Sequence, residues 1–188
     1  FYEAFYAGAR TFSADPEQQF DVFDFPDERF SVVTLNSCYN NDSLRRYAAV
    51  NPAAVIEACR RLREIPRIGW TAAVAWHHNV AAMPGQEDFL HPEFVQSLID
   101  SGAAIAFHGH QHMPDCFDEF YRLGPTGRRM TVISASTLCA EPKHLVAGVP
   151  RSYNIIEIDA EEMTGRVHQR RMVNLQMTLP VWGAGQFV

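Results

Sequence analysis

The chain has 188 residues, of which 47% are hydrophobic, and this is enough for one compact domain with its own core. Its formal net charge of −6 means that the surface as a whole would repel nucleic acid or an anionic lipid surface. Any phosphate group would therefore have to bind at a local site. The apolar runs are far shorter than the roughly 18 residues of a membrane-spanning helix, and no basic-then-apolar leader opens the chain.

The sequence gives no sign of an internal domain boundary. It has no repeat, no low-complexity tract and no long linker, so we expect residues 1–188 to form a single domain with a tail of uncertain structure over 174–188. The four cysteines contain no Cys-x-x-Cys pair, which favours reduced thiols and a cytoplasmic protein. Because the first residue is Phe, we also expect a native start upstream of this segment.

The first elements predicted in chain order are a helix end and two strands. Aromatic residues within 1–10 recur at the spacing of one helix face, which predicts the end of a helix. Residues 20–25 and 30–35 alternate or run apolar on either side of a Pro-Asp turn, and this pattern predicts two β-strands.

An amphipathic helix is predicted next. Asn51 and Pro52 form a favourable start, because Asn caps free amides and Pro needs no hydrogen bond at the first helical position. The stripe expected to be buried consists of Val55, Ala58, Cys59 and Leu62. We expect the helix to end before Pro66.

A strand–helix–strand unit follows. Residues 68–76 and 103–107 are apolar enough to be strands buried on both faces, and residues 92–101 carry a one-sided apolar stripe. Such a unit normally makes a right-handed crossover between parallel strands, so the carboxyl ends of both strands share one edge of the sheet. Further strands are expected at 117–123, 130–134, 153–159 and 166–173. The predicted fold class is α/β, in a layered α+β form with mixed β-sheets flanked by helices.

Five of the eight histidines fall in two clusters directly after the strands of this unit. They are His77 and His78 after the first strand, and His108, His110 and His112 after the second. Ligands collect beyond the carboxyl ends of strands in open α/β sheets, and neutral imidazoles bind zinc, manganese and iron-type ions. The clusters therefore predict a metal site, although hydrogen-bonded polar residues at loop mouths would give the same pattern. Gly109, between two of these histidines, permits unusual backbone dihedrals. The histidines expected to be structural or surface residues are His91, His144 and His168.

Four segments, in order, resemble the later half of a calcineurin-like metallophosphoesterase. Trp-His-His at 76–78 and Gly-His-Gln-His at 109–112 resemble the family's strand ending in His-His and its Gly-His-x-His motif. Residues 32–37 are similar to its strand ending in Asn-Ser, and residues 151–159 are similar to its late strand. The likeness covers about residues 30–172 and implies the family's four-layer architecture and the hydrolysis of phosphomonoesters or phosphodiesters.

The resemblance also implies a binuclear metal site. His77 and His110 would bind one of two divalent ions (Mn, Fe or Zn) and His112 the other, while His78 and His108 would face the phosphate or support the ligands. The family's Asp-x-His, Gly-Asp and Gly-Asn-His motifs do not occur in the sequence, so no catalytic residue is assigned. The missing ligands would come from an N-terminal part or from a partner chain.

Two hypotheses about function remain open at this point. In the first, the chain is the later part of a metal-dependent phosphoesterase that acts on a phosphate ester, with no membrane partner and with nucleic acid as a less favoured substrate. In the second, it is a non-catalytic binding or regulatory module, or one half of a split enzyme, that keeps a partial metal site. Three histidines alone can hold one zinc ion and a water.

Overall fold

Two β-sheets and two longer helices make up most of the described part of the chain. The computed structural model describes residues 2–11, 13–42, 44, 47–80, 88–120, 128–159, 161–162, 164–174 and 178–187. The helices are α1 (Tyr2–Phe5), α2 (Pro52–Glu64) and α3 (Pro92–Asp100). The strands are β1 (Phe20–Phe25), β2 (Phe30–Leu35), β3 (Thr71–Ala75), β4 (Ile105–His108), β5 (Asp115–Phe120), β6 (Arg129–Ser134), β7 (Ser152–Asp159), β8 (Thr164–Met172) and β9 (Trp182–Phe187).

The larger sheet has six strands in the order β1-β2-β3-β4-β6-β5. Its four inner strands are parallel to one another, and the strands at both edges are antiparallel to their neighbours. The predicted parallel pairing across the strand–helix–strand unit is confirmed, with Ala73 opposite Ile105 and Ala75 opposite Phe107. The chain therefore leaves β2, β3, β4 and β6 at the same edge of this sheet.

Helices α2 and α3 cover one face of the larger sheet. The side chains of Val33, Val74 and Ala106 from three neighbouring strands are fully buried there, in one cluster with Leu62 of α2 and Leu98 of α3. Removing these apolar side chains from water, at about 25 cal/mol per Å² of apolar surface, is the main force that holds the helices on the sheet.

The predicted start of α2 is confirmed, because the Asn51 side chain accepts a hydrogen bond from the amide of Ala53 at 2.9 Å and Pro52 opens the helix. The buried stripe differs by one position. Ala54 is fully buried, whereas Val55 is only half-buried.

Strand β3 is shorter than predicted. The sequence favours a strand over 68–76, but a short 3-10 helix occupies Pro66–Ile68 and leaves Ile68 64% exposed. Gly69 then adopts a left-handed conformation with φ of +77°, and the strand begins two residues later. The proline and the glycine therefore override the apolar run.

The remaining predicted helices and strands are present with shifted bounds. Gly102 follows α3 with φ of +103°, as expected of a residue that ends a helix. Strands β5 and β6 pair antiparallel, and residues 121–123 of the predicted hairpin lie outside the described residues. Helix α1 covers only part of 1–10, and residue 1 also lies outside the described residues.

The smaller sheet has the order β7-β8-β9 and is antiparallel. Strand β9 lies in the tail, where the sequence shows little pattern. Ile105 of the larger sheet and Ile156 and Val167 of the smaller one line a common cavity. Because Ala106, the neighbour of Ile105, belongs to the core on the helix side, the smaller sheet covers the opposite face. The described residues thus form helix, sheet and sheet layers, an α+β arrangement. No helix in this part of the chain has the length and apolar character needed to cross a membrane.

Candidate metal centre

The two histidine clusters meet beyond the ends of β3 and β4. Backbone pairing continues past both strands, because the amide of Trp76 donates to Phe107 and the amide of Gly109 donates to His77, each at 3.0 Å. This pairing brings Nε2 of His77 to 3.1 Å from Nδ1 of His110, with ring centroids 4.9 Å apart. His77 is exposed and His110 is half-buried, so both rings are close to the surface.

His78 lies behind this pair, with only 1% of its surface exposed. The Ser37 hydroxyl oxygen accepts the backbone amides of His77 at 3.0 Å and His78 at 3.1 Å, and it also lies 3.0 Å from Nδ1 of His78. A hydroxyl oxygen has two lone pairs, and both are used by the amides, so its own proton is donated to Nδ1. We therefore assign the ring proton of neutral His78 to Nε2.

Asp88 completes the cluster and was missed in the sequence analysis. Its Oδ2 atom lies 2.8 Å from Nε2 of His110, and its Oδ1 atom lies 3.7 Å from Nε2 of His78. An ionised carboxylate can only accept, so Nε2 of His110 carries the proton and Nδ1 carries the lone pair. Asp88 precedes α3 by a few residues, and no spacing rule distinguishes it in the sequence from other acidic residues.

His112 is oriented by a different part of the chain. Its Nδ1 atom donates to the backbone carbonyl of His144 at 2.9 Å, which leaves the lone pair on Nε2. Hydrogen bonds of this kind fix the tautomer and the ring orientation of histidines that bind metals. His144, which we expected to be a structural or surface residue, therefore supports a predicted ligand through its carbonyl.

Two of the four non-glycine residues with positive φ in the described part of the chain are histidines of the motif, and the other two are Ala7 and Arg29. His110 has φ of +71° and His112 has φ of +52°, whereas Gly109, which would permit such a conformation, is outside the left-handed region. A side chain in this region costs roughly 1–2 kcal/mol, because Cβ approaches the following carbonyl oxygen. Strained residues of this type cluster at functional sites.

His108 has a different environment from the other clustered histidines. Its ring stacks on Trp76 with an interplanar angle of 9°, whereas the rings of His77, His78 and His110 contact one another. Burial lowers the pKa of His108. The structure thus places this ring in the packing around Trp76, and its predicted role toward a phosphate remains a prediction.

The electrostatics of the cluster favour neutral imidazoles. Burial, followed by repulsion from His110 and His77, lowers the pKa of His78 to about 4. The pKa of His77 is also lowered, first by the loss of part of its hydration and then by repulsion from His110 and His112. Neutral imidazole is the form that binds metal ions, so His77 and His78 do not need to lose a proton at pH 7 before binding.

Two groups of atoms in the cluster are candidates for holding a divalent ion. The first is Nε2 of His77 with Nδ1 of His110, whose 3.1 Å separation is close to the roughly 3.3 Å between two nitrogen ligands on a tetrahedral zinc ion. The second consists of His78, Asp88 and His110, whose ligand atoms lie within 4.8 Å of one another.

We favour the first group as the ligands. The second group would require His78 to give up the Nε2 proton that Ser37 assigns to it, and it would break the bond from His110 to Asp88. The first group keeps both interactions. It requires that the ion replace the hydrogen bond between Nε2 of His77 and Nδ1 of His110, with the ring proton of His77 moved to its own Nδ1. Two imidazole nitrogens that converge in this way fit a zinc, manganese or iron ion.

The chain matches no known protein-family model, and no curated protein is similar to it at a significant level. The function is therefore inferred from the geometry of the site together with the sequence resemblance described above.

Proposed function

We propose that the chain carries the metal-binding part of a phosphate-ester hydrolase of the calcineurin-like type, with His77, His110 and His112 as ligands. The observation that supports this most directly is the 3.1 Å approach of His77 Nε2 to His110 Nδ1 at the shared edge of two parallel strands. When bound, divalent ions supply Lewis acidity, which activates water for attack on phosphorus and neutralises charge on the phosphoryl oxygens.

The residues of the chain have separate tasks in this proposal. His77 and His110 would hold one ion, and His112, whose ring orientation is fixed by the carbonyl of His144, would offer Nε2 to the other. Ser37, just after β2, accepts the backbone amides of His77 and His78 and so holds in place the segment that carries His77. The exposure of His77 leaves the ligands accessible to a phosphate group.

A complete binuclear site needs more ligands than the described residues bring together at this edge of the sheet. Two cations a few ångströms apart repel each other strongly, so a binuclear centre requires a bridging carboxylate and further anionic ligands. We propose that an N-terminal part or a partner chain supplies them, together with the fourth layer that would complete a calcineurin-like architecture. The four unpaired cysteines support a reducing, cytoplasmic setting, and the net charge of −6 favours a small phosphate ester over nucleic acid.

The test combines metal analysis with hydrolysis. The full-length protein is purified, its bound metals are measured, and turnover of p-nitrophenyl phosphate and bis-p-nitrophenyl phosphate is followed with Mn²⁺, with Zn²⁺ and with chelator. We expect metal-dependent turnover that His77→Ala and His110→Ala abolish. His91→Ala is the matched control, because the side chain of His91 is 85% exposed.

Two outcomes would contradict the proposal. Absence of both bound transition metal and metal-dependent turnover would rule out the metal centre. Stoichiometric metal binding without hydrolysis of either ester, in the full-length protein, would favour the non-catalytic module instead.

A further inference from the structure

We propose that Asp88 is a positioning residue, which holds His110 with the lone pair of Nδ1 turned toward His77. The inference rests on the proposed function, because it concerns the same ligands. It assigns a role to a carboxylate that no sequence motif indicated.

The first step is how Asp88 itself is held. A chain of polar groups runs from Ser37 through His78 to Asp88. Ser37 is only 1% exposed, and its hydroxyl proton goes to Nδ1 of His78, as argued above. The Nε2–H group of His78 then faces Oδ1 of Asp88 at 3.7 Å, which attracts the carboxylate without a full hydrogen bond. The end of β2 thus influences where Asp88 sits.

The second step is what Asp88 does to His110. Oδ2 accepts from Nε2 of His110 at 2.8 Å, the length of a strong hydrogen bond to a charged acceptor. A neutral histidine without such an acceptor can carry its proton on either nitrogen. If the proton moved to Nδ1, an N–H group would point at Nε2 of His77 and block the shared ligand position. Asp88 excludes that tautomer.

The third step separates positioning from direct ligation. Oδ1 of Asp88 is buried and has no hydrogen-bond partner among the described residues, so a direct bond from this oxygen to an ion is the competing explanation. An asparagine at this position still accepts the proton of His110 through its amide oxygen, but it carries no charge. An alanine accepts nothing. The two substitutions therefore distinguish a hydrogen-bonding role from a ligand bond.

The experiment uses the full-length protein and the variants Asp88→Asn, Asp88→Ala and Asp115→Asn. Asp115 is the matched control, because it is an exposed acid close to the same histidine motif. The tautomer of His110 is measured after chelator treatment by long-range ¹H–¹⁵N NMR. The affinity for Zn²⁺, with no substrate present, is measured by competition titration.

We expect His110 to carry its proton on Nε2 in the unaltered protein and in Asp88→Asn, and to show a mixture of tautomers in Asp88→Ala. Zinc affinity should fall about 10–100-fold in Asp88→Ala, the usual effect of losing a group that orients a ligand. It should fall less in Asp88→Asn, and Asp115→Asn should match the unaltered protein.

Three results would overturn the inference: an unchanged His110 tautomer in Asp88→Ala, unchanged zinc affinity in that variant, or an equal loss of affinity in both Asp88 variants, which would indicate a direct ligand. These results are distinct from failure of the proposed function, because none of them involves hydrolysis. A protein that binds zinc through an Asp88-oriented His110, yet hydrolyses no ester, would keep this inference and remove the phosphoesterase.

Discussion

His110 combines a strained backbone with a ring whose two nitrogens are both engaged. Its φ of +71° disfavours any residue with a Cβ atom, yet Nδ1 faces His77 and Nε2 is bonded to Asp88. Glycine, which takes positive φ freely, would relieve the backbone but would lose the ring. At this position, stability of the fold would favour glycine, whereas metal binding requires the imidazole ring.

This conflict gives a prediction about stability. With chelator present, His110→Gly should have a free energy of unfolding about 1 kcal/mol higher than His110→Ala, because both lack the ring and only alanine keeps the strain. Urea unfolding followed by circular dichroism would measure the difference. At His108, in β4, the glycine variant should instead have the lower free energy of unfolding of the two, because glycine weakens a strand. Equal or reversed stability at His110 would show that the backbone there is not strained.

At the scale of elements, the strand–helix–strand unit was predictable and β9 was not. Alternation and apolar runs in the sequence indicated β1 to β4, and the parallel pairing of β3 with β4 brings the histidine clusters to one edge. Strand β9 contains two glycines, which are depleted in strands, and it has little alternation. It is a strand because its backbone pairs with β8, a contact between distant residues that local pattern does not encode.

Close packing against β8 explains the glycine at position 185 of β9, and this explanation can be tested. A Cβ atom at Gly185 would lie within 3.0 Å of the side chain of Gln169 on β8, closer than side-chain carbons normally approach. Gly185→Ala should therefore lower the free energy of unfolding by about 1–3 kcal/mol, as overpacking typically does. Ala184→Ser, at an exposed position of the same strand, is the control in a thermal unfolding experiment. A fully stable Gly185→Ala would mean that β8 and β9 separate easily.

At the scale of the whole molecule, the candidate site was only partly predictable. Two parallel strands followed by histidines were enough to place His77 near His110. Asp88 was out of reach, because its role depends on a contact with His110, which lies 22 positions further along the chain. The hydrogen-bond partner of buried His78 was also out of reach, since it is the hydroxyl of Ser37, which follows a third strand, β2.

Binding of an ion by segments far apart in sequence should stabilise the entire fold. At a free zinc concentration 100 times the dissociation constant, binding to the native state alone adds about 2.7 kcal/mol to the free energy of unfolding. We expect thermal unfolding to shift upward with zinc and to return with chelator. His77→Ala should remove the shift, and the exposed His91→Ala should keep it. A similar shift in all three proteins would indicate binding elsewhere.

Because the hydroxyl of Ser37 holds the backbone of His77 and His78, the position of these histidines depends on the number of residues in β2. Successive side chains of β2 alternate between its two faces, with Ser31, Val33 and Leu35 buried. A single-residue insertion within β2 would reverse the faces of the side chains that follow it and would also displace the oxygen that anchors the amides of His77 and His78. Solubility and chemistry would then be lost together, so an engineer who wishes to alter the site should leave the length of β2 untouched.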